Sequence, residues 1–361
     1  MKRLFLALAV LVLVLPLSAQ ENGSGSQGFS AGINLGSDLL PNPDDPTVFS
    51  SWSKLGFQPD LSIGKFGIGL DLTLRFKLYP NSDTPIEIYT PDWIPQDGKT
   101  IFDVYLPKIM YVRYGLRGVD PFYAKLGSIP DFSLGNGLIV SDYSNTRFLP
   151  ETRIFGLQVG VDGSLFKVPY FGIEALTGNL SQLDVIGGRV YIRPLAFMGS
   201  SILGRLQVGA TAVVDRDPLL YIPAADIGLY PASKLVYVAG ADVTLPIITG
   251  NIFSLTTFVE GAREMNNALG AIVGVSGKLI SFINYGAQFR YLQEGFIPSY
   301  FDSNYDLYRG DRFTYVETTV PGDFVPGWLA SLGFSMFSNK LTFGALMDGP
   351  FAAAPLASSN D

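Results

Sequence analysis

The chain has 361 residues, of which 47% are hydrophobic and only 16% are charged, and its formal net charge is -7. It contains no cysteine and no histidine, which excludes disulfides, thiolate nucleophiles, Cys/His metal sites and any Ser-His-Asp triad. The acidic balance gives no reason to expect nucleic acid as a partner, and no spacing of residues indicates a catalytic group, a cofactor site or a metal site, so we expect no enzyme.

The first predicted element is a secretory signal at the N-terminus. Lys2 and Arg3 precede an apolar run over 4–15, and Pro16-Leu17-Ser18-Ala19 follows as a cleavage site, in which Leu17 is larger than the small residue usually preferred. We predict cleavage after Ala19. The expected domains are therefore a signal peptide over 1–19 and a β-barrel domain over 20–361.

The clearest strand of the mature chain is predicted over 65–79, which reads KFGIGLDLTLRFKLY. Apolar residues occupy one parity of this stretch, from Phe66 to Leu78, and glycines and polar residues occupy the other. A period of two indicates a β-strand. The alternation lasts as long as the ~9–11 residues that a tilted strand needs to cross a bilayer.

The same alternation continues along the rest of the chain. It predicts fifteen strands, over 29–36, 52–63, 65–79, 108–113, 122–127, 154–162, 170–177, 185–193, 205–214, 236–245, 252–261, 269–277, 283–291, 328–337 and 341–347. No segment after the signal has the run of about 18 apolar residues that a membrane-spanning helix needs.

The predicted connections alternate between short and long. The long ones cover 37–51, 80–100, 128–152, 215–235 and 292–327. Bacterial outer-membrane barrels have short periplasmic turns and longer external loops. A soluble β-sandwich, the competing interpretation, has no reason to sort its connections in this way. The pattern therefore favours a barrel whose mature N-terminus lies in the periplasm.

With its signal sequence, glycine- and tyrosine-rich strands, absence of cysteine and alternating loops, the chain resembles Gram-negative outer-membrane β-barrel proteins of the porin-like kind. No specific family is identified. The resemblance implies an all-β fold, a transmembrane antiparallel up-and-down β-barrel of about 14–16 strands in the outer membrane, with membrane lipid as a partner.

The C-terminal end departs from this pattern. Such barrels commonly end on an aromatic residue of the last strand, whereas Phe351 is followed by a polar tail over 352–361. Fifteen strands is also an odd number, and single-chain bacterial barrels have an even one. Either one prediction is false, with 29–36 and 341–347 the weakest, or the barrel has 14 strands, or the tail over 352–361 stands in place of a missing sixteenth strand. We expect closure through pairing of the first strand with the last one present.

The expected function is a channel for passive diffusion of small solutes or ions, because the interior parity is rich in charge and glycine. The alternatives are a structural or adhesive surface barrel that acts through its external loops, and a transporter of apolar small molecules. Parity predicts that the following charged residues line the lumen: Asp71, Arg75, Arg113, Asp162, Glu174, Arg189, Arg193, Arg205, Asp242, Glu260 and Arg290.

Three local motifs are weak. Asp302 to Asp306 begins like a calcium loop, but Leu307 stands where the turn needs glycine. The tripeptide 309–311 spells an adhesion motif that chance explains better. The stretch SLGNG over 133–137 is not followed by a predicted helix, which argues against a phosphate-binding loop.

Overall fold

We analysed a computed structural model of the chain, which describes residues 28–42, 45–79, 83–96, 98–149, 152–232, 234–336 and 341–351. The predicted signal peptide and the polar tail over 352–361 lie outside the described residues. Seventeen strands are assigned to one antiparallel sheet, and two more form a separate pair. The predicted all-β class with antiparallel up-and-down pairing is confirmed.

The described chain contains nineteen strands and two α-helices. The strands are β1 Gly28–Asn42, β2 Asp45–Ile63, β3 Phe66–Leu70, β4 Leu72–Leu78, β5 Ile86–Ile88, β6 Ile109–Tyr114, β7 Phe122–Gly127, β8 Phe132–Leu134, β9 Val140–Tyr143, β10 Gly156–Asp162, β11 Phe171–Thr177, β12 Val185–Ile192, β13 Gln207–Asp215, β14 Val236–Thr249, β15 Phe253–Glu264, β16 Leu269–Leu279, β17 Ile283–Gln293, β18 Phe324–Met336 and β19 Leu341–Pro350. The helices are α1 Ile101–Tyr105 and α2 Tyr305–Thr318. Short 3-10 helices lie at Thr90–Asp92, Leu106–Lys108, Gly163–Phe166, Ala196–Met198, Leu203–Arg205 and Ile227–Leu229.

Residues of the chain cluster into two compact units, Met1–Arg113 and Tyr114–Asp361, and the boundary falls within β6. In the first unit, β1 pairs with β2 as a long hairpin, from Gly28 opposite Ser62 to Pro41 opposite Phe49. The predicted long connection over 37–51 is therefore wrong. The alternation that begins before Gly36 continues through Leu39, and β1 includes Pro41, so this proline does not end the strand.

The predicted strand over 65–79 is interrupted at Asp71. β3 and β4 keep one register against β2, since Asp60 lies opposite Gly69 and Phe57 lies opposite Leu72. This register places Pro59, which has no amide hydrogen to donate to the ladder, opposite Leu70. At the interruption, Asp71 donates its N–H to the carbonyl of Lys108. Counted as one strand, β3 and β4 leave 16 strands in the large sheet, within the predicted range.

In the second unit, each strand from β10 to β18 pairs with its successor in the sequence, and β7 pairs with β10. Two long connections differ from the irregular loops predicted there. The segment over 128–152 contains the β8–β9 pair. The segment over 292–327 contains α2, and β18 begins at Phe324. None of the helices in the described residues is long and apolar enough to span a membrane.

Candidate functional site

The large sheet of the second unit has two chemically different faces. On β12, Val185, Gly187 and Arg189 are buried, whereas Ile186, Val190 and Ile192 are exposed. The same alternation continues on β13, β14, β15 and β16. The exposed parity is mostly apolar, with Arg263 near the end of β15 as an exception, and we call it the apolar face. The opposite parity carries the buried charged residues Arg189, Asp242 and Glu260, and we call it the polar face.

An ion pair lies in the middle of the polar face. Arg189 donates from Nε and Nη2 to the two carboxylate oxygens of Asp242, at 3.0 and 2.6 Å. Gly209 lies between them in the sheet, and a Cβ at this position would come within 2.6 Å of both side chains. The missing side chain of Gly209 therefore permits the bidentate contact, the strongest geometry for such a pair.

Two further acidic residues lie beside this pair in the strand register. Glu174 is directly opposite Arg189, and Glu260 is directly opposite Asp242. Like charges on opposite residues destabilise a sheet unless a partner intervenes. Glu260 receives one, because the backbone N–H of Asn136 donates to its Oε2 at 2.8 Å.

Glu174 is held by two donors from neighbouring elements. Arg117, in the turn between β6 and β7, donates from Nε to Oε1 at 2.8 Å, and the hydroxyl of Tyr123 donates to the same oxygen at 3.3 Å. The charge of Glu174, a predicted lumen residue, is therefore compensated by Arg117. Because Arg117 lies in a turn and not in a strand, the alternation pattern does not assign it to a face.

A second ion pair lies near the turn between β10 and β11. Arg193 donates from Nη2 to Asp162 Oδ2 at 2.6 Å, and the hydroxyl of Tyr191 donates to the same oxygen at 3.1 Å. The guanidinium carbons of Arg189 and Arg193 lie 4.9 and 5.1 Å from the centroid of the Tyr191 ring. Three planar side chains thus follow one another along β12 and just beyond its end.

These groups enclose a cavity of about 470 Å³. We call it the polar cavity and define it by its charged and aromatic lining residues, which are Asp120, Tyr123, Asp162, Glu174, Arg189, Tyr191 and Arg193. Its volume is within the range of small-molecule sites.

Glycines set the position of both tyrosine rings. A Cβ on Gly160 would lie 2.0 Å from Cε1 of Tyr123, and a Cβ on Gly172 would lie 2.2 Å from Cζ of Tyr191. Real Cβ atoms do not approach so closely, so each ring lies directly over the backbone of its glycine. The rings therefore lie along the wall of the cavity.

A hydrophobic cluster covers another part of the polar face. The connections over 128–155 and 294–323 bury aromatic and aliphatic side chains against inward residues of β13 to β16. We call this cluster the loop core and define it by Phe132, Leu134, Tyr143, Val213, Val238, Phe258, Phe301, Tyr305 and Phe313. Burial of each such side chain contributes at most about 1.5–3 kcal/mol, so the cluster holds both connections against the sheet.

Helix α2 docks in this core through one face. Its buried residues are Tyr305, Asp306, Arg309, Gly310, Phe313 and Val316. This spacing corresponds to one side of a helix with 3.6 residues per turn.

Arg309 is the buried cation of the helix, and its side chain is only 1% exposed. It donates to Asp215 through Nη2 at 2.7 Å and to Asp184 through Nη1 at 2.7 Å. Burial alone would lower the pKa of Arg309, but the charge of Asp215, with that of Asp184, raises it above the usual value. Removal of this guanidinium would leave two buried carboxylates without their cation, a loss of about 3–5 kcal/mol in comparable sites.

Asp306 lies next to this cluster and accepts a hydrogen bond from the hydroxyl of Tyr143 at 3.2 Å. Burial raises the pKa of Asp306 to about 7, although Arg309 lowers it, and the charge of Asp184 raises it further. This carboxyl therefore keeps its proton to a much higher pH than an exposed aspartate does.

The structure brings six of the predicted lumen residues together on the polar face of the second unit. These are Asp162, Glu174, Arg189, Arg193, Asp242 and Glu260. Arg205 instead donates to the carbonyls of Ser200 and Ile247. Arg290 pairs with Asp348 at 3.1 Å.

The remaining predicted residues belong to the first unit. Arg75 pairs with Asp38 at 2.7 Å and with Asp92 at 2.8 Å. Arg113 donates to the hydroxyl of Ser62, and Asp71 accepts from Thr73. That these residues line a lumen stays a prediction.

Sequence reasoning did not select Arg117, Tyr123 or the Arg309 cluster. Tyr191 shares its parity with Arg189 and Arg193, so a search for tyrosines as well as charges would have found it. No comparable signal marks Arg117, which lies in a turn, or Arg309, which reaches its partners only because α2 folds against distant strand ends.

The structure also bears on the three weak motifs. Arg309 and Gly310 of the adhesion tripeptide are buried in α2. Asp302 pairs with Arg312 at 2.7 Å, and the described residues include no group of three or more acidic side chains, histidines or cysteines that could hold a metal ion. In SLGNG, the N–H of Asn136 is used by Glu260, where a phosphate loop would present it to a ligand.

Comparison with known proteins gives structural neighbours only. No protein-family model matches the sequence, and no curated protein matches it. The chain is similar over most of its length to solved outer-membrane porins. Salmonella typhi OmpF in complex with daunomycin has a TM-score of 0.36 at 10% identity, with 91% of each chain covered.

Pseudomonas putida OprB has a TM-score of 0.36 at 11% identity, with 90% of this chain and 88% of that chain covered. Pseudomonas aeruginosa OccK2 has a TM-score of 0.33 at 9% identity, with 87% and 76% covered. Because the identities and TM-scores are low, the likeness assigns neither a family nor a solute to this chain.

Proposed function

We propose that the chain forms a transmembrane β-barrel of an outer membrane and conducts small polar solutes through its interior. In this proposal the sheet closes on itself, the apolar face contacts lipid, and the polar face lines the lumen. The signal peptide over 1–19 exports the chain, and 20–361 forms the barrel. No enzymatic step is part of the proposal.

The apolar face is the observation that carries this proposal. Val190, Val259 and Val273, on three different strands, are 54%, 52% and 45% exposed. Soluble monomers rarely expose a contiguous apolar surface of more than a few hundred Å², whereas alternate lipid-facing residues are the rule in membrane barrels. Hydrocarbon is the solvent in which this face is stable.

Strand length supports the same conclusion. β14, β15 and β16 have 14, 12 and 11 residues. A tilted strand needs about 9–11 residues to cross the hydrocarbon core. These strands are longer than the typical strand of a soluble sheet.

The polar cavity supports conduction, and the loop core limits it. Ion pairs and tyrosine hydroxyls on the polar face provide a wet surface for solutes. The loop core occupies part of the same face with apolar side chains. The proposed channel is therefore narrow and suits small solutes, and we expect a low conductance compared with an unobstructed barrel of this strand number.

Planar-bilayer recording tests the proposal. Mature protein refolded in detergent should insert and give discrete current steps. Val275→Arg and Ser276→Arg form a matched pair, because these neighbours on β16 belong to the apolar and the polar face. An arginine on the lipid face costs about 2–4 kcal/mol at the midplane, so Val275→Arg should insert far less efficiently than Ser276→Arg.

Insertion without current would overturn conduction and favour the structural or adhesive alternative. Equal insertion of both variants would overturn the assignment of the faces. A monodisperse protein in buffer without detergent would overturn the membrane barrel altogether.

A further inference from the structure

Four ionised groups that line the polar cavity are compensated by partners of the opposite sign, and a fifth, Asp120, accepts from the backbone N–H of Leu116 at 2.9 Å. Arg189 is paired with Asp242, and Arg193 with Asp162. Glu174 is paired with Arg117. A charged solute that bound here would compete with these pairs and would lose its own hydration as well. The cavity therefore offers little net attraction to a small anion or cation.

The compensated groups nevertheless keep hydrogen-bonding capacity. A carboxylate accepts at about four positions and a guanidinium donates from five N–H groups, more than the contacts of Glu174 or Arg193 use. Ser164 and Gln207 also line the cavity and each supplies both a donor and an acceptor. Such a mixed set of donors and acceptors suits a ligand that carries several hydroxyls, since each hydroxyl both donates and accepts.

The shape of the cavity fits the same class of ligand. Gly160 and Gly172 allow the rings of Tyr123 and Tyr191 to lie along the wall, which leaves an uninterrupted volume of about 470 Å³. The Tyr191 hydroxyl donates to Asp162, and its oxygen accepts only a long hydrogen bond of 3.4 Å from Nη2 of Arg193. Planar aromatic and guanidinium groups provide flat surfaces for a ring-shaped solute.

From these observations we propose that the polar cavity binds an uncharged, polyhydroxylated solute of the size of a mono- or disaccharide. The proposal rests on the channel function above and specifies its substrate class. The ion pairs hold the local charge balanced, and the hydroxyl, amide and carboxylate groups make the contacts.

Glucose and glucuronate form a matched pair of probes, because they differ mainly by one negative charge. In single-channel recordings of the full mature chain, glucose should interrupt the current, with a half-blocking concentration at least tenfold below that of glucuronate. Tyr191→Phe, which removes one hydroxyl, should raise the half-blocking concentration of glucose about three- to tenfold. Tyr285→Phe is the control, since Tyr285 donates to the carbonyl of Ser254 outside the cavity, and it should change nothing.

Asp162→Asn tests the role of charge balance. It leaves Arg193 without its carboxylate, so glucuronate should now block at a lower concentration than glucose. Asp242→Asn should also lower the half-blocking concentration of glucuronate, because it leaves Arg189 without its carboxylate. This second variant replaces the first if Asp162→Asn fails to fold. Stronger block by glucuronate in the unaltered chain would overturn the proposal, and so would equal effects of Tyr191→Phe and Tyr285→Phe.

Titration calorimetry of the detergent-solubilised protein separates this proposal from the channel function. It detects glucose binding whether or not the protein conducts. A protein that binds glucose and passes no current would overturn the channel alone. A protein that conducts but binds glucose no better than glucuronate would overturn the site alone.

Discussion

At the scale of single residues, the polar face depends on positions where a side chain is absent. Gly160, Gly172 and Gly209 each lie under a larger group of a neighbouring strand. The ring of Tyr123 occupies the space that a side chain at Gly160 would need, and in this position its hydroxyl donates to Glu174. Glycine in a strand often marks such a close approach.

Gly160→Ala should therefore destabilise the protein, because the new Cβ would lie 2.0 Å from the Tyr123 ring. Overpacking of this kind costs about 1–3 kcal/mol. Gly188→Ala is the matched control, since a Cβ there meets only the carbonyl of Glu174 at 3.5 Å, an ordinary contact. Urea titration in lipid vesicles measures both free energies of unfolding. Equal losses for the two variants would show that the ring is not held against Gly160.

At the scale of elements, α2 combines apolar docking with a buried ionic cluster. Arg309 compensates Asp184 and Asp215, but Asp306 has no cation at hydrogen-bond distance among the described residues and bonds to Tyr143. Its pKa of about 7 lies above the usual value of 3.8. The docked helix therefore binds a proton that the undocked helix releases, and docking weakens as the pH rises from about 4 to 7.

The pH dependence of α2 tests this assignment. Amide hydrogen exchange, corrected for its intrinsic pH dependence, should show higher protection of 305–318 at pH 4.5 than at pH 7.5. Other ionisable groups face the same cluster, namely Tyr143, Asp184, Asp215 and Arg309. The contribution of Asp306 is therefore the difference between the pH dependence of protection in the unaltered protein and that in Asp306→Asn. The asparagine of that variant stays neutral at every pH, so protection of its helix should depend less on pH between 4.5 and 7.5. An identical pH profile in both proteins would contradict the raised pKa of Asp306.

The elements that the sequence predicted well are those with strict alternation. β7 was predicted with its observed bounds, and β12 and β17 within two residues, because each has one apolar and one polar parity. The sequence pattern predicts a loop over 37–51, where the structure has a hairpin. Prolines and aspartates in this stretch resemble a loop composition, although the strand pairing continues through it. Proline is tolerated at strand edges and bulges, so the presence of proline alone does not distinguish a loop from a strand.

Helix α2 and the loop core could not be predicted from period-two patterning. Tyr305, Arg309 and Phe313 repeat every four residues, a signal that a search for strands passes over. Their partners, such as Asp215, are distant in the sequence. Parity selected Arg189 and Asp242 individually, but only the register of β12, β13 and β14 brings them to 2.6 Å. The candidate site therefore depends on tertiary contacts that one-dimensional patterns do not contain.

At the scale of the whole molecule, the proposed barrel requires the two faces of the sheet to meet different solvents. Pairing of the first strand with the last stays a prediction. In the second unit, Val190 and Val273 belong to the apolar face, and Gln207 and Gln288 to the polar face. Lipid on one side and water on the other is the arrangement in which both sets are stable.

Site-directed spin labelling measures this arrangement most directly, because the chain has no cysteine of its own. Single cysteines at positions 190, 273, 207 and 288, labelled with a nitroxide in lipid vesicles, report collisions with oxygen and with a water-soluble nickel complex. Labels at 190 and 273 should collide frequently with oxygen and rarely with nickel, and labels at 207 and 288 should show the reverse. Equal access of the nickel complex to all four positions would contradict the membrane-spanning barrel.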